Sequence, residues 1–157
     1  MLRRVLGAVL LCGVALAGCT AHPGQSGADP PERDRAHSLW LDRTAYVGDN
    51  SKVIALAEGA GLGSMGSMTL RLDTDAPPYG LTVAYDSVGK PFETVDFTPQ
   101  ATLMLGLVGN LERVEVTSGD RSHTFTSAEV SRQLGYDVKT LARDEAKLRD
   151  YLESLDD

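Results

Sequence analysis

The apolar residues of this chain change period along its length, and each period names an element. Val53, Leu56, Ala57 and Ala60 recur at helical spacing behind Asp49-Asn50-Ser51, whose side-chain oxygens suit an N-cap. Gly59 to Gly63 ends that helix. The period then drops to two. Met68, Leu70 and Leu72 alternate with Thr69, Arg71 and Asp73, and beyond Asp75-Ala76-Pro77-Pro78 the residues Tyr79, Leu81, Val83 and Tyr85 alternate with Gly80, Thr82 and Ala84. Two half-buried strands joined by a short Pro-containing turn predict an antiparallel hairpin. Thr98-Pro99 opens a second helix. Ala101, Leu103, Met104, Leu105, Leu107 and Val108 make it apolar on nearly all sides, and Gly109-Asn110 ends it. Val114 and Val116, then His123 and Phe125, predict a second hairpin around Ser118-Gly119-Asp120. Thr126-Ser127-Ala128-Glu129 is a capping box for a short helix that stops at Gly135. Thr140 to Leu155 reads as one last helix, with Leu141, Leu148, Leu152 and Leu155 as its stripe.

This order, α-β-β-α-β-β-α-α, predicts an α+β two-layer domain over residues 38–157: an antiparallel four-stranded sheet with helices packed mainly on one face. No loop has the look of a parallel crossover with a Gly-rich phosphate turn.

A different pattern opens the chain. Arg3 and Arg4 precede an apolar run from Val5 to Leu16, shorter than the roughly 20 residues a bilayer span needs. A basic head and a short apolar run predict a secretory signal over residues 1–18. Its ending, Leu16-Ala17-Gly18-Cys19, resembles the bacterial lipobox. That resemblance implies cleavage between Gly18 and Cys19 and a thioether-linked diacylglycerol on Cys19. Ala15-Leu16-Ala17 offers an ordinary cleavage as the alternative, which would leave an unpaired thiol in the exported product. Residues 19–37, rich in Pro, Gly, Ser and charge, read as a disordered tether. The predicted location is the extracytoplasmic side of the cell membrane, held there by lipid.

Composition narrows the choice of partners. The chain carries a formal net charge of −7, and loss of Arg3 and Arg4 with the signal makes it more negative still. Nucleic acid is therefore excluded as a partner. Cys12 leaves with the signal and Cys19 is capped, so the domain has neither a disulfide nor a cysteine metal site.

Tyr46-Val47-Gly48-Asp49-Asn50-Ser51-Lys52-Val53, followed by Pro78-Tyr79-Gly80-Leu81-Thr82-Val83-Ala84-Tyr85, resembles the bacterial family called domain of unknown function 4825. The resemblance covers roughly Leu39 to Leu155 and includes Phe125-Thr126 before a Ser-Ala-Glu helix start. It implies an architecture of envelope or secreted proteins and no catalytic residues. The Gly59-to-Gly66 loop departs from the family in its glycine content.

Chemistry is sparse. His22 and His37 fall in or beside the tether, which leaves His123 alone inside the domain. Gly61-Leu62-Gly63-Ser64-Met65-Gly66 precedes a strand, the reverse of a phosphate-binding turn, and reads as a connector. Asp73 and Asp75 near Asp86 lack the spacing of a calcium loop. No catalytic set, metal site or cofactor site is predicted. Two candidate binding regions remain. Tyr46, Asp49, Asn50 and Ser51 supply more polar groups than one N-cap needs, although the simpler account is that Tyr46 docks the entry segment while the polar trio caps the helix. Arg71, Asp73, Thr82, Glu115, Thr117 and Thr124 share the polar faces of their strands. The expected function is a non-catalytic binding or accessory module for an envelope protein or a cell-wall ligand. The alternative is a small envelope hydrolase in which Ser51, Asp49, Asp73, Asp86 and His123 converge.

Overall fold

The computed structural model describes residues 31–156 of the chain, with side chains from residue 35 onward. Among the described residues, five α-helices, α1 (Pro31–Asp42), α2 (Asn50–Gly59), α3 (Thr98–Leu107), α4 (Ser127–Leu134) and α5 (Glu145–Glu153), accompany four strands. The strands are β1 (Met68–Asp73), β2 (Gly80–Tyr85), β3 (Arg113–Ser118) and β4 (Arg121–Thr126). The class is α+β, as the alternating patterns require.

The sheet is mixed. Its strand order is β1-β2-β3-β4, with both hairpins antiparallel and the central β2–β3 pair parallel. This corrects the expected all-antiparallel sheet. Parallel neighbours need a crossover of a dozen or more residues, and residues 86–112 provide one through α3. All of α3 from Ala101 to Leu107 is buried, and a helix apolar all round must be covered on every side. α3 packs on β3 and β4, and also meets α2, α4 and the 3₁₀ segment Val138–Ala142.

Two further boundaries differ from expectation. The tether expected through residue 37 gives way to α1 at Pro31, a residue suited to the first helical position. Ala36 and Leu39 are buried, with Trp40 packed partly against the core, a helical spacing masked by charged neighbours. Arg35 anchors the helix by donating from Nε to the Gly59 carbonyl and from Nη2 to that of Ala60. His37 Nδ1 lies 3.1 Å from Glu145 Oε1 on α5. The single C-terminal helix expected from Thr140 is instead split. Asp144 leaves helical geometry at φ −140° and accepts from the amides of Ala146 and Lys147, starting α5 afresh. Residues 1–30, including the expected signal and Cys19, lie outside the described residues.

The glycine-rich loop is built rather than slack. Leu62 is buried within it, and the Tyr85 hydroxyl donates to the Leu62 carbonyl at 2.7 Å. Burial first, and Glu58 second, push the Tyr85 pKa up to about 12, so it remains a donor at neutral pH. Gly59 leaves room for Leu39, whose Cδ2 would lie 2.8 Å from an added Cβ. Gly66 sits against the Ser87 carbonyl, and a Cβ there would approach its oxygen to 2.3 Å. Backbone on backbone cannot yield as a side-chain tip can. Gly66→Ala is therefore expected to cost about 1–3 kcal/mol, seen as a lower urea midpoint at constant slope. Gly89→Ala, with open space around it, should leave the midpoint in place.

Candidate functional site

Side chains alternate across a sheet, so register decides which polar residues meet. One row runs Arg71–Thr82–Glu115–Thr124 across all four strands. The flanking rows are Asp73–Gly80–Arg113–Thr126 and Thr69–Ala84–Thr117–Ser122. The six residues expected on one polar face do share it. Leu81, Val83, Val114 and Val116 point the other way, into the core. Thr69, Arg71, Ser122 and Thr124 are exposed, so among the described residues this face is open to solvent.

The charges on that face are paired with one another. Asp73 accepts from two arginines, Arg71 Nη1 at 3.1 Å and Arg113 Nη2 at 3.0 Å. Arg113 Nη1 lies 3.2 Å from Glu115 Oε2, and Arg71 Nη2 donates to the Thr82 hydroxyl at 3.2 Å. The Asp73–Arg113 pair spans β2 directly over Gly80. A Cβ at Gly80 would come within 3.1 Å of both Arg113 Nη2 and Asp73 Oδ2, which gives that glycine its purpose. These long side chains lie across the strand and leave Thr82 nearly covered. Half-exposed pairs of this kind contribute about 0–1 kcal/mol each. Their effect is to hold the charged groups in one fixed pattern.

The second candidate region is a docked turn. Val47, not Tyr46, enters the core. Its amide donates to Asn110 Oδ1 at 2.6 Å, while Thr44 pairs in parallel with Val108. Asp49 caps α2 through the Lys52 amide at 3.4 Å and accepts from the Thr44 hydroxyl at 3.3 Å. Tyr46 is 68 % exposed, which corrects the expectation that it docks. Asn50 and Ser51 are exposed in the first turn of α2.

A family model described as "Domain of unknown function (DUF4825)" matches residues 39–130. The chain belongs to this family. No curated protein and no solved structure matches it. The DUF4825 match runs from Leu39 in α1 to Val130 in α4, so it takes in the whole sheet, the docked turn and α3.

Within this DUF4825 domain, two of the five residues named for a hydrolase, Asp73 and His123, are held apart. Asp73 and His123 occupy opposite edge strands and opposite faces of the sheet. His123 stacks on Phe92 at 4.9 Å between ring centroids and lies 5.9 Å from Phe97. Its buried Nε2 has no hydrogen-bond partner. Arg121 also lies over the Phe92 ring, 5.5 Å from its centroid, and pairs with Glu93 at 3.0 Å. Glu93's own backbone hydrogen bond first, and Arg121 second, hold the Glu93 carboxyl below its usual range. Asp49 is engaged at the start of α2, and Asp86 follows β2 as an exposed residue.

Sequence reasoning passed over Lys139, which lies beyond the matched residues. Its ammonium donates to the carbonyls of Leu105, Val108 and Leu111 at 2.7, 2.9 and 2.6 Å. It thereby caps the C-terminal end of α3, where a helix leaves carbonyls without partners and favours positive charge. A lysine on a 3₁₀ segment far along the chain gives no local sign of this role. Burial pushes its pKa down to about 8, against the opposing pull of Glu112 and Asp137. Lys139→Met leaves three carbonyls short of a donor and is expected to cost about 1–3 kcal/mol at pH 7. The folded-state pKa lies below the unfolded value of roughly 10.4, so the unfolded chain binds more protons between the two. Wild-type stability relative to Lys139→Met should accordingly rise from about pH 8 to about pH 10.4. Paired urea titrations at pH 7.5 and pH 9.5 measure that slope.

Proposed function

We propose that the protein is a non-catalytic recognition module of the cell envelope, tethered by lipid on Cys19 and reading its partner with the open sheet face. The observation that carries the reading is the cross-strand row Arg71–Thr82–Glu115–Thr124, exposed at both edges. Paired charges in a fixed pattern favour recognition of a complementary surface, because orienting them costs little on binding. The partner is another envelope protein or a cell-wall fragment, and an acidic chain of net charge −7 disfavours nucleic acid. Catalysis by Asp and Ser residues is the weaker reading, because Asp73 and His123 are held on opposite faces.

Two outcomes test it. Thr69→Arg with Thr124→Arg adds bulk at two exposed positions outside the ion pairs. The double variant should lose at least about tenfold in capture of a crosslinked partner on intact cells, a change of about 1.4 kcal/mol, with an unchanged melting temperature. Equal capture by wild type and variant counts against the face. Cys19→Ser should abolish labelling by a fatty-acid analogue while the domain keeps its fold, since the substitution falls ahead of α1 and outside the packed core. A wild type with no label and the same fractionation as Cys19→Ser leaves a simple secreted domain.

A further inference from the structure

Away from the sheet, where the end of α1 meets the 3₁₀ segment Val138–Ala142, the surface opens into a cleft of ≈ 470 Å³. Three basic side chains, Arg43, Lys139 and Arg143, contribute to its wall together with Thr44, Ala45 and Gly109. The lining contains no acid, in a chain whose net charge is −7. Each cation is placed by a partner of its own. Arg43 lies 3.9 Å above the Trp40 ring and donates from Nη1 to the Trp40 carbonyl. Lys139 is fixed by the three carbonyls at the end of α3. Arg143 Nη1 is held by Asp137 Oδ2 at 3.0 Å. Asp137 and Glu112 act on Lys139 from outside the lining and offset part of the charge.

Like charges that line one cleft repel one another, and a bound anion relieves that cost. We propose that this cleft binds a phosphate group, gripped by the guanidinium groups of Arg43 and Arg143. The planar guanidinium fork matches two phosphate oxygens at once. The three protons of Lys139 are committed to backbone carbonyls, so its contribution is a positive field and not a direct hydrogen bond. The cleft exceeds the size of phosphate alone and admits the small alcohol to which it is esterified. A soluble phosphoester and a lipid headgroup present the same chemistry, and the site is independent of the open sheet face.

The test is calorimetric titration of the full chain, in non-ionic detergent, with inorganic phosphate against chloride at matched ionic strength. Phosphate should bind, and Arg143→Gln should weaken it at least about tenfold through loss of one charged fork. Arg143 is 67 % exposed, so its melting temperature should not move. Arg43→Gln should weaken binding as well. Arg121→Gln, which removes an equal charge outside the lining, should leave it unchanged. Displacement of phosphate by glycerol phosphate alone assigns a soluble phosphoester, and displacement by phosphatidylglycerol in mixed micelles assigns a headgroup. Either result supports the site. Absence of phosphate binding, or equal binding by wild type, Arg143→Gln and Arg121→Gln, overturns it.

Discussion

A helix apolar on every side has to be enclosed, and its last carbonyls have to find donors inside the protein. α3 sets both demands. Its flank from Ala101 to Leu107 is buried, so sheet, α2, α4 and the segment Val138–Ala142 gather around it. Its C-terminal end is closed from two directions. The Thr44 amide donates to the Leu107 carbonyl at 3.0 Å, and Lys139 takes three more carbonyls nearby. Buried backbone acceptors left alone cost about 1–3 kcal/mol each, so these two closures hold the docked turn and the C-terminal third of the domain against α3. Gly106 permits the close approach, since a Cβ there would meet Leu141 Cδ1 at 2.8 Å and the Val138 carbonyl at 3.0 Å.

The same arrangement accounts for the mixed sheet. With α3 as the connection between Tyr85 and Arg113, the chain re-enters the sheet beside β2 in the same direction. Each antiparallel hairpin remains local, and among the four described strands the parallel β2–β3 join is the pairing made at long range. One face of the product is sealed by apolar residues that sit against the helices. The other is held by Asp73 bridging Arg71 and Arg113 over Gly80. Gly80 and the ion pair that crosses it are thus one feature built from three strands.

The two charged surfaces differ in how their charges are satisfied. On the open sheet face, Arg71, Asp73, Arg113 and Glu115 neutralise one another, which suits a complementary surface more than a single ion. In the cleft beside α3, acids outside the wall offset part of the charge of cations that line it. That imbalance arises from the closure of α3 itself, because Lys139 must lie where the helix ends and Arg43 and Arg143 flank the segments that bring it there.

Patterns within a few residues were enough for the local elements. Asp49 as cap, the exact span of β1, the Gly119 turn, the Thr126–Glu129 box and the stop at Gly135 all follow from periodicity and short-range hydrogen bonding. The same patterns placed the six polar strand residues on one face, since a period of two needs no knowledge of neighbours. The resemblance to DUF4825 was readable in two short stretches, 46–53 and 78–85, that follow one another along the chain. How the hairpins join depends on packing at long range, because both parallel and antiparallel joins present the same alternation along each strand. Tertiary structure recruited α1 from a polar stretch by burying Ala36 and Leu39, and it divided the last helix at Asp144. It also gave Lys139 its role and Tyr46 its exposure. Those outcomes rest on contacts between residues far apart in the chain, and a pattern read over a few positions has no access to the carbonyls, packing surfaces and charges that only folding brings within reach.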